Sequence, residues 1–346
     1  MSPKLQSLLN GAACAAFLIL PTLGAIGPAQ AFHTDVPSPP APPSPPPAPP
    51  APPAPQWRGN AAGGEWMTWP MKSYTANSVK FDNIVGTVIV NVRDSGPMTV
   101  QASGMRARLN GLSVSAQGGR LEIDGSEVQD SQTVWDWRHW FDFSNMTEPT
   151  QHNLSITVTV PRGTDVNVED LVGNATIGDT QGMLHFEAAA TNARIGRVST
   201  AKIELGGDGK IDIAQVTGTL KLDVGGSGKI TVGSTGNVNA DIAGSGDVRL
   251  GAIAGGLDLD IAGSGDVTAA HVNGPVKVSI AGSGSVKIAD GTADPLHVEI
   301  MGAGNFDFGG VAVDPHIEAV GSGTVRLKSY RGHLSSEGMA DVKIGQ

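Results

Sequence analysis

From residue 79 onward, apolar side chains fall at every second position over most of the chain, and the alternation is punctuated by glycine corners. The corners read Gly207-Asp208-Gly209, Gly226-Ser227-Gly228, Gly244-Ser245-Gly246, Gly263-Ser264-Gly265, Gly282-Ser283-Gly284, Gly302-Ala303-Gly304 and Gly321-Ser322-Gly323, recurring every 18 to 20 residues. Before each corner stands an apolar triplet such as Leu220-Leu222-Val224, Leu257-Leu259-Ile261 or Val276-Val278-Ile280. After it stands a pair such as Ile230-Val232, Val267-Ala269 or Phe306-Phe308. Period two sends these side chains to one side of a strand and the polar ones to the other. A unit of this size cannot bury its apolar side alone, so successive units must stack. The pattern predicts an all-β fold, a single-stranded parallel β-helix (β-solenoid) with coils of about 19 residues, for which right-handed winding is favoured without being fixed by the pattern.

Weaker forms of the repeat occur at Asn174-Ala175-Thr176-Ile177-Gly178 and Asn192-Ala193-Arg194-Ile195-Gly196. Further upstream the alternation is strand-like but less regular. Residues 112–116 and 120–123 flank Gln117-Gly118-Gly119 and read as a hairpin, and 154–160 alternate until Pro161. Between these lies an insert, 127–150, in which Trp135, Trp137, Trp140, Phe141 and Phe143 cluster. These rings either plug an open end or groove of the solenoid or form an exposed aromatic platform for a glycan or a protein partner.

Composition changes the picture at the N-terminus. Residues 1–31 carry Lys4 as their one charge, an apolar run from Ala12 to Ile26 interrupted by Pro21, and the small-x-small sequence Ala29-Gln30-Ala31. They are expected to act as an export signal, leaving no integral membrane segment after cleavage. The single cysteine, Cys14, lies within them, so no disulfide or cysteine metal site is expected in the mature chain. Residues 32–56 form a Pro/Ala-rich polyproline tether, 57–79 a tryptophan-containing lead-in, and 80–346 the β-helix. The expected location is the periplasm, the cell surface or the medium.

A net charge of -10 excludes a nucleic-acid partner of the usual basic-groove kind. Phosphate-cradling glycine loops open onto helices; here every corner opens onto a strand, which argues against nucleotide binding. The outward positions stack acids instead. Asp223, Asp241 and Asp260 fall on one ladder with Asp258 beside it, and Asp247 and Asp266 lie beyond the corner. The ordinary reading is a solvated face that keeps the rod soluble. The alternatives are a basic partner or a weak site for a divalent cation such as calcium. A carbohydrate-active enzyme using these outward aspartates is a further alternative, but the acids follow the repeat, where a catalytic site should break it. No cofactor and no catalytic residue is expected. The histidines are scattered, although His297 and His316 occupy equivalent positions of successive coils.

Several motifs together, Phe81-Asp82-Asn83-Ile84, Leu121-Glu122-Ile123 after a Gly-Gly turn, Val158-Thr159-Val160-Pro161 and corners of the type Gly244-Ser245-Gly246-Asp247-Val248, resemble the bacterial autotransporter adhesin head (GIN) domain family over roughly residues 80–346. The resemblance implies an exported parallel β-helix and an adhesin-like binding role, with a cell-envelope or host glycan or protein as partner, and brings no catalytic residues. The chain departs from it in the proline tract and the tryptophan-rich insert. Its last residues, 342–346, lack the terminal aromatic of a membrane barrel, so autotransport is not expected.

Overall fold

Residues 66–126, 154–338 and 341–345 are described by the computed structural model; the expected signal, the tether and the whole aromatic insert with Trp135, Trp137, Trp140, Phe141 and Phe143 lie outside the described residues. The alternation becomes a β-solenoid of about 9 turns of about 19 residues. Strand Leu257–Gly263 shows how. Leu257, Leu259 and Ile261 are buried, while Asp258, Asp260 and Ala262 point away from the core. The strand pairs in parallel with one coil on each side, placing Leu259 between Ala240 and Val278 and Asp260 between Asp241 and Ser279. This face keeps one register from Ala201 to Gly321. A slip of one residue would turn every triplet toward water, at about 1.5–3 kcal/mol for each large apolar side chain exposed.

The faces enclose one apolar interior. Most of it is Val, Ile and Leu, broadened near the C-terminal end by Phe306 and Phe308, which are fully buried with ring centroids 6.4 Å apart. The buried Thr191 satisfies its hydroxyl by donating to the carbonyl of Gly173 at 3.0 Å, as burial of a polar group requires.

At the N-terminal end, stacking order departs from chain order. Ser78–Asp82 lies between Arg120–Asp124 and Asp165–Ile177, parallel to both. Strand Met98–Met105 turns back to run antiparallel to Leu154–Pro161 and carries Trp66–Thr68 and Lys72–Tyr74, also antiparallel. These strands and the short helix Arg106–Asn110 bring Met98, Val100, Ala102 and Leu109 onto the core. They cover the end of the parallel stack, where an open edge would offer unpaired backbone groups to other chains. The expected hairpin forms between Ser113–Gln117 and Arg120–Asp124. Its turn residues Gly118 and Gly119 have φ of 58° and 78°, the two left-handed values that a tight two-residue turn demands.

Candidate functional site

The outward side of the strand before each corner carries two ladders whose rungs are one coil apart, about 4.8 Å. The first begins with Asp124, Asp82 and Glu169 in consecutive layers. It passes a bulge near Asp170 and continues through Glu187, Glu204, Asp223, Asp241, Asp260, Ser279, Glu299, Glu318 and Glu337. Only Ser279 interrupts the acids. The second ladder, two residues earlier on each strand, includes Lys80, Asn167, His185, Lys202, Lys221, Asn239, Asp258, Lys277, His297 and His316.

The structure gathers only some of the acids singled out in the sequence. Asp223, Asp241 and Asp260 stack, and Asp258 stands beside Asp260 on the same strand. Asp247 and Asp266 pair with each other on the next face, across the corner. There Asp247 lies 3.4 Å from the guanidinium of Arg249, and Asp266 accepts a hydrogen bond from the Ser285 hydroxyl. Asp258 has a cation one rung on: the ammonium of Lys277 lies 3.9 Å from its Oδ1. That distance gives an ion pair without a hydrogen bond. Among the described residues, no three His, Cys, Asp or Glu side chains converge closely enough to hold a metal ion, so the acids are stacked without being assembled into a calcium cage.

Repulsion along the acidic ladder is relieved unevenly. At the N-terminal end the Lys80 ammonium bridges Asp82 at 2.8 Å and Glu169 at 2.9 Å. Its hydrogen bond to Asp82 outweighs burial and pushes the Lys80 pKa up. Burial raises the Glu169 carboxyl, but the hydrogen bonds from Lys80 and Asn167 prevail and hold it below its ordinary value. Lys202 pairs with Glu204. In the middle the balance reverses: burial, then Glu204 and Asp241, raise Asp223, and burial, then Asp260 and Asp258, raise Asp241. Glu187 is raised by burial and then by Glu204, Asp170 and Glu169.

These directions give a pH dependence with a definite sign. A carboxyl whose folded pKa exceeds its unfolded value takes up its proton first in the native state. Stability therefore rises as pH falls from neutral through the raised folded pKa, and the gain ends near the unfolded value of about 4. His185 opposes this: burial and then Lys202 lower its pKa, so stability is lost below about pH 6.5 until its lowered folded value is reached. Replacement of both Asp223 and Asp241 by asparagine isolates the carboxylate part. The double variant is expected to melt above the parent at pH 7, by about 1 kcal/mol or less because solvent screens the ladder. The gap should shrink by about pH 4.5, and an equal gap at both pH values would show that repulsion is not its source.

Sequence reading missed the N-terminal part of the acidic ladder. Leu121-Glu122-Ile123-Asp124 and Val79-Lys80-Phe81-Asp82 carry the same apolar-polar alternation as the later coils, but their place in the stack cannot be read from chain order. It also missed an exposed apolar ladder immediately before the corners, in which Ala243, Ala262, Ala281, Met301 and Val320 stack; Met301 and Val320 are 55% and 69% exposed.

A β-solenoid of stacked parallel coils whose outward side chains line up in ladders belongs among the repeat proteins. The family profile described as "Putative auto-transporter adhesin, head GIN domain" matches residues 81–252 and 251–343. The chain belongs to this bacterial adhesin-head family. Among solved structures, a putative adhesin from Parabacteroides distasonis ATCC 8503 is similar at 16% identity over 82% of this chain and 97% of that chain, with a TM-score of 0.35. A putative lipid binding protein from the same strain is 15% identical over 82% of this chain and 97% of its own, with a TM-score of 0.35. A putative adhesin from Bacteroides fragilis NCTC 9343 is 14% identical over 81% and 97%, with a TM-score of 0.31. No curated protein matches. Among the described residues, no helix is long and apolar enough to cross a membrane.

Proposed function

We propose that this chain is an exported adhesin-type module that binds a cell-envelope or host surface partner, a glycan or a protein, through the outward face of its solenoid and performs no catalysis of its own. The observation that carries this reading is the unbroken register of the pre-corner face. It makes Asp223, Asp241 and Asp260 repeated members of a ladder. A glycoside hydrolase needs two carboxyl groups placed in different environments on either side of a substrate. A shallow hollow of about 250 Å³ is lined by Ser78, Gln117, Gly118, Arg120 and Glu122, at the N-terminal hairpin and several rungs from these aspartates.

In this reading residues 1–31 direct export, 32–56 hold the solenoid away from its attachment, and Trp135, Trp137, Trp140, Phe141 and Phe143 add an aromatic platform of the kind that stacks on sugar rings. Family membership supports the role, and the extended face supports a repetitive partner.

Binding of the full chain to glycan arrays and isolated cell envelopes tests the proposal. Two variants are compared with the parent: a deletion of 134–143, and an Asp241→Asn/Asp258→Asn/Asp260→Asn triple. Binding is expected to fall by about tenfold or more, equivalent to about 1.4 kcal/mol, in at least one of them, with no polysaccharide cleaved by the parent. Release of reducing ends by the parent and its loss in the triple variant would replace this reading with the enzymatic one. Binding unchanged in both variants would remove these surfaces from the interface.

A further inference from the structure

We infer that His297 and His316, together with Glu299 and Glu318, form a surface site for a divalent transition-metal ion of the zinc class. The inference is independent of the adhesin reading. It begins with the register, which sets His297 directly beside His316 and Glu299 directly beside Glu318 on successive coils. Two His-x-Glu strands thus present a square of two imidazoles and two carboxylates on one outward face. The rings lie stacked, with centroids 5.0 Å apart and planes 12° from parallel. His316 Nε2 is 2.8 Å from Glu318 Oε1. Carboxylate-imidazole contacts of this kind fix ring orientation and raise ligand basicity at metal centres.

The surroundings set this square apart from the rest of the face. On one side the next rung supplies Lys277 and Ser279, on the other Ser335 and Glu337. His185, on the same ladder, stands between Asn167 and Lys202 and has no imidazole neighbour. Without an ion, Glu299 and Glu318 stack as like charges about 4.8 Å apart, and only His316 is in hydrogen-bond contact with one of them. A cation over the square would draw together the two rings and offset both carboxylates.

Geometry allows it. Zinc binds imidazole nitrogen at about 2.0–2.1 Å, so two nitrogens on one ion must approach to within about 4.2 Å of each other. The rings therefore need only tilt their nitrogen edges together. The side chains of His316 and Glu318 are 37% and 48% exposed, so no core packing resists that rotation. The ion closes the site; it does not find one already converged. Mixed imidazole and carboxylate donors suit zinc, copper and nickel, whereas calcium takes oxygen donors almost exclusively.

Zinc titration of the full chain by calorimetry, with histidine ring signals followed by NMR, is the test. The parent is expected to bind one zinc ion at this site and to shift two histidine ring signals together. Binding should weaken as pH falls, because the ligand is neutral imidazole. His297→Gln and His316→Gln are each expected to weaken binding by about tenfold or more, equivalent to about 1.4 kcal/mol, while His185→Gln leaves it unchanged. Apo-form melting within a few degrees of the parent confirms that the variants fold, as their outward positions predict. Absence of zinc binding at millimolar concentration overturns the inference. So does binding that survives in both variants, which would place the ion elsewhere on the chain, and so does displacement of zinc by equimolar calcium.

Discussion

Leu259→Asp is expected to unfold the solenoid at room temperature or bring it to the edge of unfolding. Leu259 is fully buried between Ala240 and Val278, so the substitution removes about 1.5–3 kcal/mol of apolar burial. It also places a carboxylate among aliphatic side chains with no partner, which costs several kcal/mol more even after relaxation. The sum is comparable to the whole net stability of a typical domain, about 5–15 kcal/mol. Because each coil is held chiefly by its neighbours, the defect should spread along the stack. Asp260→Asn, one residue away on the outward side, makes the matching control and should leave the fold intact. Thermal melting by circular dichroism and limited proteolysis read both variants. A Leu259→Asp protein melting within a few degrees of the parent would contradict the assignment of inside and outside on which the site rests.

That assignment was legible in the sequence because the coil length barely varies. With corners 18 to 20 residues apart, spacing alone places Asp241 and Asp260 on one ladder, and the register agrees. His297 and His316 were placed side by side in the same way. What was not legible depends on contacts that chain order hides. Ser78–Asp82 enters the stack between residues 120–124 and 165–169, so the bridge from Lys80 to Asp82 and Glu169 could not be anticipated from spacing. The ion pair of Lys277 with Asp258, one rung apart, depends on side-chain reach, which register alone does not give. The apolar character of Met301 and Val320 was visible, but their exposure was not. They sit where the strand bends into the corner, and alternation alone does not say that these outward positions carry no cover.

Gly263→Val is expected to lower stability by about 3 kcal/mol or more, whereas Gly206→Ala should be neutral or slightly stabilising. Gly244, Gly263, Gly282, Gly302 and Gly321 stack in register, and their φ values run from 137° to 128°, a region costly for residues with a Cβ. The corner is also crowded. A Cβ on Gly244 would lie 2.7 Å from the Gly226 carbonyl oxygen, one on Gly302 would lie 2.5 Å from that of Gly282, and one on Gly263 would press on the Gly244 carbonyl. Backing away is not free, because that carbonyl accepts from the Ser264 amide at 2.9 Å and the Gly263 carbonyl accepts from the Ser283 amide at 2.9 Å. At Gly206 an added Cβ meets nothing within 4 Å, and no left-handed φ is required there, so alanine mainly restricts the unfolded chain, a gain of about 0.4–1 kcal/mol. For a folded region of this size, 3 kcal/mol corresponds to a fall in Tm of about 6–12 °C, readily seen by calorimetry. Equal melting of the two variants would mean that the corners are looser than the stacked backbone indicates. The ladders on either side of them would then have no fixed spacing with which to meet a partner or an ion.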